Sequence, residues 1–318
     1  MLIALDISES FIFAPVLTAP ATILSCLNSN CKVVPVDADP ETFSLNIDDL
    51  QKKISKYKST RKGAIIVVHV GGIIDPKIHL LQKIARENNL FLIEDCAHAF
   101  GSTLNNEPAG IWGDAAIYSF FLTKTVTSGE GGCVVGKDRE LIESIKRIRN
   151  YGKDNEGKHV IRGSSWRMNE FTAALLYGQL KSYFEVKKEL RENVSVLYDR
   201  TLDGKASFQP YKLHPSTTSG YYKYIVCIRE GLEFSYDEFH CFMKENDILL
   251  PARVFDRITI EEPYLHEHIS LICDGNFEIA KRLCANHFCL PIYESLTKNE
   301  ILYVCEKVNE YFANIPQN

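Results

Sequence analysis

The sequence predicts an α/β fold built on a mainly parallel sheet, and three neighbouring stretches carry the prediction. "AIIVVHV" (64–70) is a continuous β-branched run, as expected of a strand buried on both faces. "KIHLLQKIAREN" follows, with Ile78, Leu81, Ile84 and Ala85 at helical spacing. "LFLIED" (Leu90–Asp95) is a second apolar run directly after it. A strand, an amphipathic helix and a strand in that order form the repeating unit of parallel sheets.

Two further strand-like runs follow, "AAIYSFF" (115–121) and "GGCVVG" (131–136). Asp138 then stands as N-cap for "RELIESIKRIRN", whose Leu141, Ile145 and Ile148 form one stripe. From Met168 the pattern changes. "NEFTAALLYGQLKSYFEVKKELRENVSVLYDRTL" reads as two helices with a break near Ser182–Phe184, and a polar, turn-rich stretch around "KLHPSTTSG" comes next. The tail carries a strand, "YYKYIVCI" (221–228), and helices near 236–245, 276–286 and 297–313. The expected division is a large α/β domain over residues 1–185 and a smaller α+β domain over 186–318, joined by a long helix.

Composition narrows the class. At 318 residues, 45% hydrophobic and 24% charged, the chain has enough apolar material for a sizeable core. A net charge of −5 with dispersed lysines and arginines gives no basic surface, so a nucleic-acid partner is not expected. The apolar stretch "FIFAPVLTAPATIL" is interrupted by Pro15 and Pro20 and is too short to span a bilayer. Asp6 and Glu9 occupy the place of a signal peptide's basic region. The ten cysteines show no CxxC pair, and several, such as Cys133 and Cys289, lie in apolar runs. They read as free buried thiols of a cytoplasmic protein.

Two charged residues close apolar strands: Asp95 ends "LFLIED", and Lys124 follows "AAIYSFF" just before the glycine-rich "SGEGG". In open α/β sheets ligands bind beyond the carboxyl ends of the strands, so both side chains can reach one crevice. Singly, each is as well explained by a helix cap or a solvated charge. A P-loop is excluded because the glycines follow the lysine, and no GxGxxG is present. A nucleophilic amine remains, forming an imine with a carbonyl while a carboxylate holds a protonated ring nitrogen, which is the minimal protein contribution to pyridoxal phosphate chemistry. Ser119 beside it is the candidate phosphate donor. A nucleotide-binding module, with Lys124 as a phosphate clamp, is the reading without catalysis.

The segment from "IEDCAHAF" through "GIWGDAAIYSFFLTKTVTSGEGG", together with "GSSWRMNEFTAALLYGQL" and "HFCLPIYESLTKNEILYV", resembles the DegT/DnrJ/EryC1/StrS family of sugar aminotransferases over nearly the whole chain. The resemblance implies an aspartate-aminotransferase-like, fold type I transferase with pyridoxal 5'-phosphate as cofactor. It implies that Lys124 carries the cofactor, that Asp95 partners its ring nitrogen, and that Ser119 contacts its phosphate. His98 stands where the family often has a glutamine bonded to the phenolic oxygen. Ser165 stands where many members have an asparagine reaching from a second subunit. The implied activity takes an amino group from an amino acid, glutamate by expectation, to a nucleotide-linked ketosugar in amino-sugar biosynthesis, by a homodimer with a shared site. Relatives that dehydrate their substrate replace the lysine, so Lys124 favours transamination.

The resemblance departs at the front. The family's Ser-Gly-Thr phosphate turn has no counterpart in "MLIALDISESFIFAPV", and Ala19 replaces an aromatic common after Thr18. The expectation is a shortened N-terminal segment, with a catalytically silent homologue as the rival reading. Tyr151 fits a lining of the site and a structural role equally, Arg167 a support of its loop or an intersubunit contact, and the Tyr222–Val226 run a place in the core. His69, near the same sheet edge as Asp95, fits a supporting place behind the site, and Glu130 is expected to shape the glycine turn.

Overall fold

The computed structural model describes residues 1–269 and 275–315. Six strands form the main sheet: β1 (Phe11–Pro15), β2 (Lys32–Val36), β3 (Gly63–Val68) and β4 (Leu90–Asp95), then, after a small hairpin of β5 (Thr103–Leu104) and β6 (Glu107–Pro108), β7 (Ala115–Ser119) and β8 (Gly132–Gly136). Their order is β2-β1-β3-β4-β7-β8, parallel throughout except that β8 runs against β7. Helices α1 (Pro20–Asn28), α2 (Ile47–Lys56) and α3 (Ile78–Glu87) make the crossovers. Asn46 caps α2 by accepting the Asp49 N–H, and Asp138 caps α4 (Arg139–Arg149) as the sequence predicts.

The period of two along each strand divides the core. Ile12, Ala14, Val33, Ala64, Ile66 and Ile93 face one side, while Phe13, Val34, Ile65, Val67 and Leu92 face the other against α2 and α3. The first side is covered partly from the far end of the chain. Val254, Ile258, Ile260 and Phe277 join that cluster, and Thr259 donates both its N–H and its hydroxyl to the Val16 carbonyl.

Helix α5 (Glu170–Ser182) runs through a π-helical turn at Tyr183–Lys187 into α6 (Lys188–Leu202). The expected break near Ser182–Phe184 is therefore a widened turn and not an interruption, consistent with the lack of Gly or Pro there. A second, antiparallel sheet follows, with β9 (Phe208–Pro210), β11 (Tyr224–Ile228) and β12 (His287–Leu290) in the order β12-β11-β9, while β10 (Thr217–Thr218) pairs with β5. Helices α7 (Tyr236–Glu245), α8 (Pro263–Ile269), α9 (Glu278–Ala285) and α10 (Lys298–Ala313) complete the chain. Thr297 starts α10 in a full capping box with Glu300.

Cys133 departs from the sequence reading. It is exposed, because β8 is the edge strand of the sheet, and Cys241 on α7 is exposed too. Cys273 lies outside the described residues. Among the described residues no helix is long and apolar enough to cross a membrane.

Candidate active site

Strands β1, β3, β4 and β7 are adjacent and parallel, so their carboxyl ends meet at one edge of the sheet. Residues at or just beyond those ends build the site: Thr18 after β1, His69 after β3, Asp95 closing β4, and Ser119 and Lys124 at and beyond the end of β7.

Asp95 is 6% exposed. Its Oδ2 accepts the Thr22 hydroxyl at 2.8 Å and its Oδ1 the Ala97 N–H at 3.0 Å. Thr22 in turn accepts the Thr18 hydroxyl at 2.8 Å. Burial pushes the Asp95 carboxyl above its ordinary range, opposed by the Ala97 and Thr22 hydrogen bonds and by the positive charge of Lys124. The preceding residue, Glu94, faces the opposite side of the strand. It accepts from His69 Nε2 at 2.9 Å and from the Gly110 and Gly113 N–H groups at 2.8 and 2.5 Å. Burial works to raise Glu94, but these partners hold it below the usual carboxylate range. His69, Glu94 and Cys96 bring potential metal-ligand atoms within 4.8 Å of one another, but the Glu94 oxygens are already satisfied, and the group reads as a structural tie.

Lys124 lies in the loop between β7 and β8. That loop is closed by the Phe120 N–H on the Gly131 carbonyl at 2.8 Å and by the Ser128 N–H on the Phe120 carbonyl at 3.0 Å. Gly131 has φ +146°, and a Cβ there would stand 2.8 Å from Met168 Cε and 2.9 Å from Ser128 Oγ, so the turn requires glycine. Phe120 and Val126 anchor the loop in a small cluster with Tyr183. The Lys124 Nζ sits 4.5 Å from the centroid of the Tyr222 ring. Burial lowers its amine to about 8, with the Lys223 charge adding to the effect and Asp95 opposing it.

His98 packs against Tyr222, with ring centroids 4.4 Å apart, and against Phe255. The Gly71 N–H donates to its Nδ1 at 3.3 Å, which leaves the neutral ring with its proton on Nε2. Burial, and then the charges of Lys124 and Lys223, hold His98 well below its ordinary pKa. A cavity of about 730 Å³ opens beside these groups, lined among others by Thr18, His98, Thr123, Tyr222, Lys223 and Arg253.

Of the residues singled out in the sequence, Asp95, His98 and Lys124 are brought together. Ser119 closes β7 at the mouth of the lysine loop, where its Oγ accepts the Phe121 N–H at 3.3 Å and keeps its own proton free to donate. Ser165 is not brought to this cluster. It is exposed, pairs with Asn150, and bonds the Tyr151 phenol. Arg167 supports the same loop by donating to Asn150 Oδ1 at 2.7 Å. Sequence reasoning missed Thr18, Thr22, Tyr222 and Lys223. The Thr18–Thr22 spacing of one helical turn is a faint signal for the first two, while the other two read only as the start of a core strand.

The donor set fits pyridoxal phosphate. A buried carboxylate raised by desolvation suits a cationic ring nitrogen as its partner, and a half-buried amine near pKa 8 suits carbonyl chemistry.

The fold and this edge of the sheet define an α/β protein with a lysine and a carboxylate gathered at its strand ends, and comparison with known proteins supplies the class. The sequence matches the DegT/DnrJ/EryC1/StrS aminotransferase family over residues 1–309. It is 31% identical to the GDP-perosamine synthase of Caulobacter vibrioides, over 91% of this chain and 76% of that protein. It is 28% identical to the dTDP-3-amino-3,6-dideoxy-alpha-D-galactopyranose transaminase of Aneurinibacillus thermoaerophilus, over 87% of this chain and 72% of that one. A solved DegT DnrJ EryC1 StrS aminotransferase from Brucella abortus has the same fold, with a TM-score of 0.88 at 21% identity, covering 98% of this chain and 82% of that one. The chain belongs to the DegT/DnrJ/EryC1/StrS family of pyridoxal-phosphate-dependent aminotransferases.

Proposed function

We propose that the protein transfers an amino group from an amino acid, glutamate in the first instance, to a nucleotide-linked ketosugar. The observation that carries this reading is the convergence of Asp95 and Lys124 from neighbouring strands, close enough for each charge to shift the other's titration. The sugar class rests on the names of the two relatives, one a GDP-sugar enzyme and the other a dTDP-sugar transaminase.

Pyridoxal phosphate, when bound, supplies an electron sink that acidifies the donor's α-carbon. Lys124 would hold the group covalently and, once released by the donor amine, would move the proton from that carbon. An amine near pKa 8 is well matched to this work, since a usable fraction is neutral at physiological pH. Asp95 would keep the proton on the ring nitrogen, with Thr22 and Ala97 fixing the carboxylate's orientation. His98 would donate from Nε2 to the phenolic oxygen, and Ser119 to the phosphate.

Ser165 would serve a second copy of the chain. Supporting a homodimer, Phe171, Ala174, Leu175 and Gly178 recur at helical spacing along α5, a pattern that normally faces a core. Yet α5 buries no residue, and Phe171 is 90% exposed.

The test is a pyridoxal phosphate titration followed by visible absorbance. Wild type should develop a band that glutamate bleaches, and Lys124→Ala should lack it. Absence of the band in the wild type at saturating cofactor would overturn the reading in favour of a silent homologue.

A further inference from the structure

We propose that Lys223 is the oxyanion-recognition group of this cavity, placed to hold the carboxylate of the amino-acid donor while the donor's amine takes the place of Lys124. This rests on the aminotransferase reading and adds to it the residue that selects the donor.

The first observation is placement. Lys223 directly precedes β11 and lines the cavity with His98 and Thr18. Its Nζ is 5.3 Å from the centroid of the Tyr222 ring, and the Lys124 Nζ is 4.5 Å from the same centroid. Both amines thus lie close to one aromatic ring.

The second observation comes from the cavity's other cations. Arg191 is held by Glu294 at 2.9 Å and by the carbonyls of Tyr221 and Ile292. Arg253 is held by Asp256 at 3.0 Å and by the Cys284 carbonyl, and lies over the Tyr236 ring. Arg257 faces Glu262 at 3.7 Å. Lys223 alone among these four has no carboxylate within 4 Å among the described residues. Its ammonium donates to the Ala252 carbonyl at 2.8 Å, which fixes its direction and uses one of its three N–H groups.

The third observation is cost. Burial lowers the Lys223 amine against the opposing influence of Cys289 and of Asp256, a carboxylate already ion-paired with Arg253, so the charge is desolvated with no carboxylate dedicated to it. A bound anion would offset that cost. A lysine is a compact point charge, suited to a carboxylate or a phosphate oxygen alike. Reach favours the carboxylate. In an α-amino acid the carboxyl group is attached to the carbon that bears the exchanging amine, so an anchor at Lys223 delivers that amine to the neighbourhood of Lys124. The phosphates of a nucleotide sugar stand across the sugar ring from its keto carbon.

The experiment compares full-length wild type with Lys223→Met and Lys223→Arg. Three quantities are read: the cofactor band on loading, the glutamate concentration dependence of its bleaching, and calorimetric binding of glutarate, dTDP and GDP. The expected result is an intact band in Lys223→Met, a glutamate half-saturation raised about tenfold or more, a limiting bleaching rate changed far less, and weakened glutarate binding. Lys223→Arg should recover part of the affinity. An unchanged glutamate dependence in Lys223→Met with an intact band would overturn the proposal. So would a loss confined to dTDP or GDP, which would assign the lysine to the phosphate. Failure of the wild type to form a band would count against the aminotransferase reading alone, and glutarate binding would still decide whether Lys223 takes a carboxylate.

Discussion

Burial acts on Asp95 and Lys124 in opposite senses, raising the acid and lowering the amine, and each tempers the other. For the lysine this has a consequence for stability. Its folded value is about 8 against an ordinary 10.5. Between those values the unfolded chain binds the proton and the folded chain does not, so stability rises with pH across that window. Below pH 8 the penalty of burying the ammonium is fully present. Lys124→Met should therefore raise the melting midpoint of the cofactor-free protein at pH 7 by about 2 °C or more, and the gain should shrink as the pH is raised from 8 toward 10. Scanning calorimetry of both proteins across that range checks it. An equal gain at pH 7 and pH 10 would point to packing and not charge. The pair was legible in the sequence because each residue ends or follows a strand. Their supports were not: Thr22 lies 73 residues from the carboxylate it bonds, and Tyr222 and Lys223 arrive from another sheet. A pattern read along the chain carries no information about which remote hydroxyl or ring the fold will bring alongside.

The lysine loop depends on the helix that crosses behind it. Tyr183, fully buried in the π-helical turn, packs on Phe100 and Phe120 and donates its hydroxyl to the Phe100 carbonyl. Gly101, at φ +83°, leaves room for that hydroxyl, since a Cβ there would lie 1.9 Å from it. Tyr183→Ala should cost about 3–5 kcal/mol in chemical denaturation, the usual range for deleting a buried aromatic. It should also weaken cofactor retention, because Phe120 and Val126 lose their backing. Retention equal to wild type would mean that β7 and β8 hold the loop unaided. Several elements were legible here: the Asp138 cap and the tail helix expected from Thr297 mark real helix starts, and the β-branched runs mark real strands, whereas α2 with its Asn46 cap was not anticipated. The π turn was not, because nothing in "KSYFEVKK" distinguishes one extra residue per turn from a break; the demand for it comes from where Tyr183 must land. The exposure of Cys133 was equally hidden, since edge position in a sheet depends on strand order and not on local composition.

At the scale of the whole molecule, the alternation of strands and helices sufficed to anticipate a mainly parallel sheet, whereas the covering of one face by residues from the far end of the chain did not show in any local pattern. The apolar face of α5 belongs to this scale as well. The homodimer proposed above predicts that wild type sediments as a dimer and Phe171→Asp as a monomer with unchanged far-ultraviolet dichroism, and a wild type that is itself monomeric would overturn it. A variant that elutes with the wild type would remove α5 from the interface. The antiparallel pairing of β7 with β8 has one more consequence, in time and not in space. A hairpin closes over a short loop, within about 10 µs for simple cases, while parallel pairing must wait for crossovers of tens of residues. The lysine's turn can thus take shape early, during or soon after synthesis. The contact from Thr22 to Asp95 can form only once β1 has joined the sheet. That contact closes a loop of 73 residues, against the short loop of the hairpin, so of the two halves of the site the acidic one carries the larger closure cost and depends more on the sheet being complete.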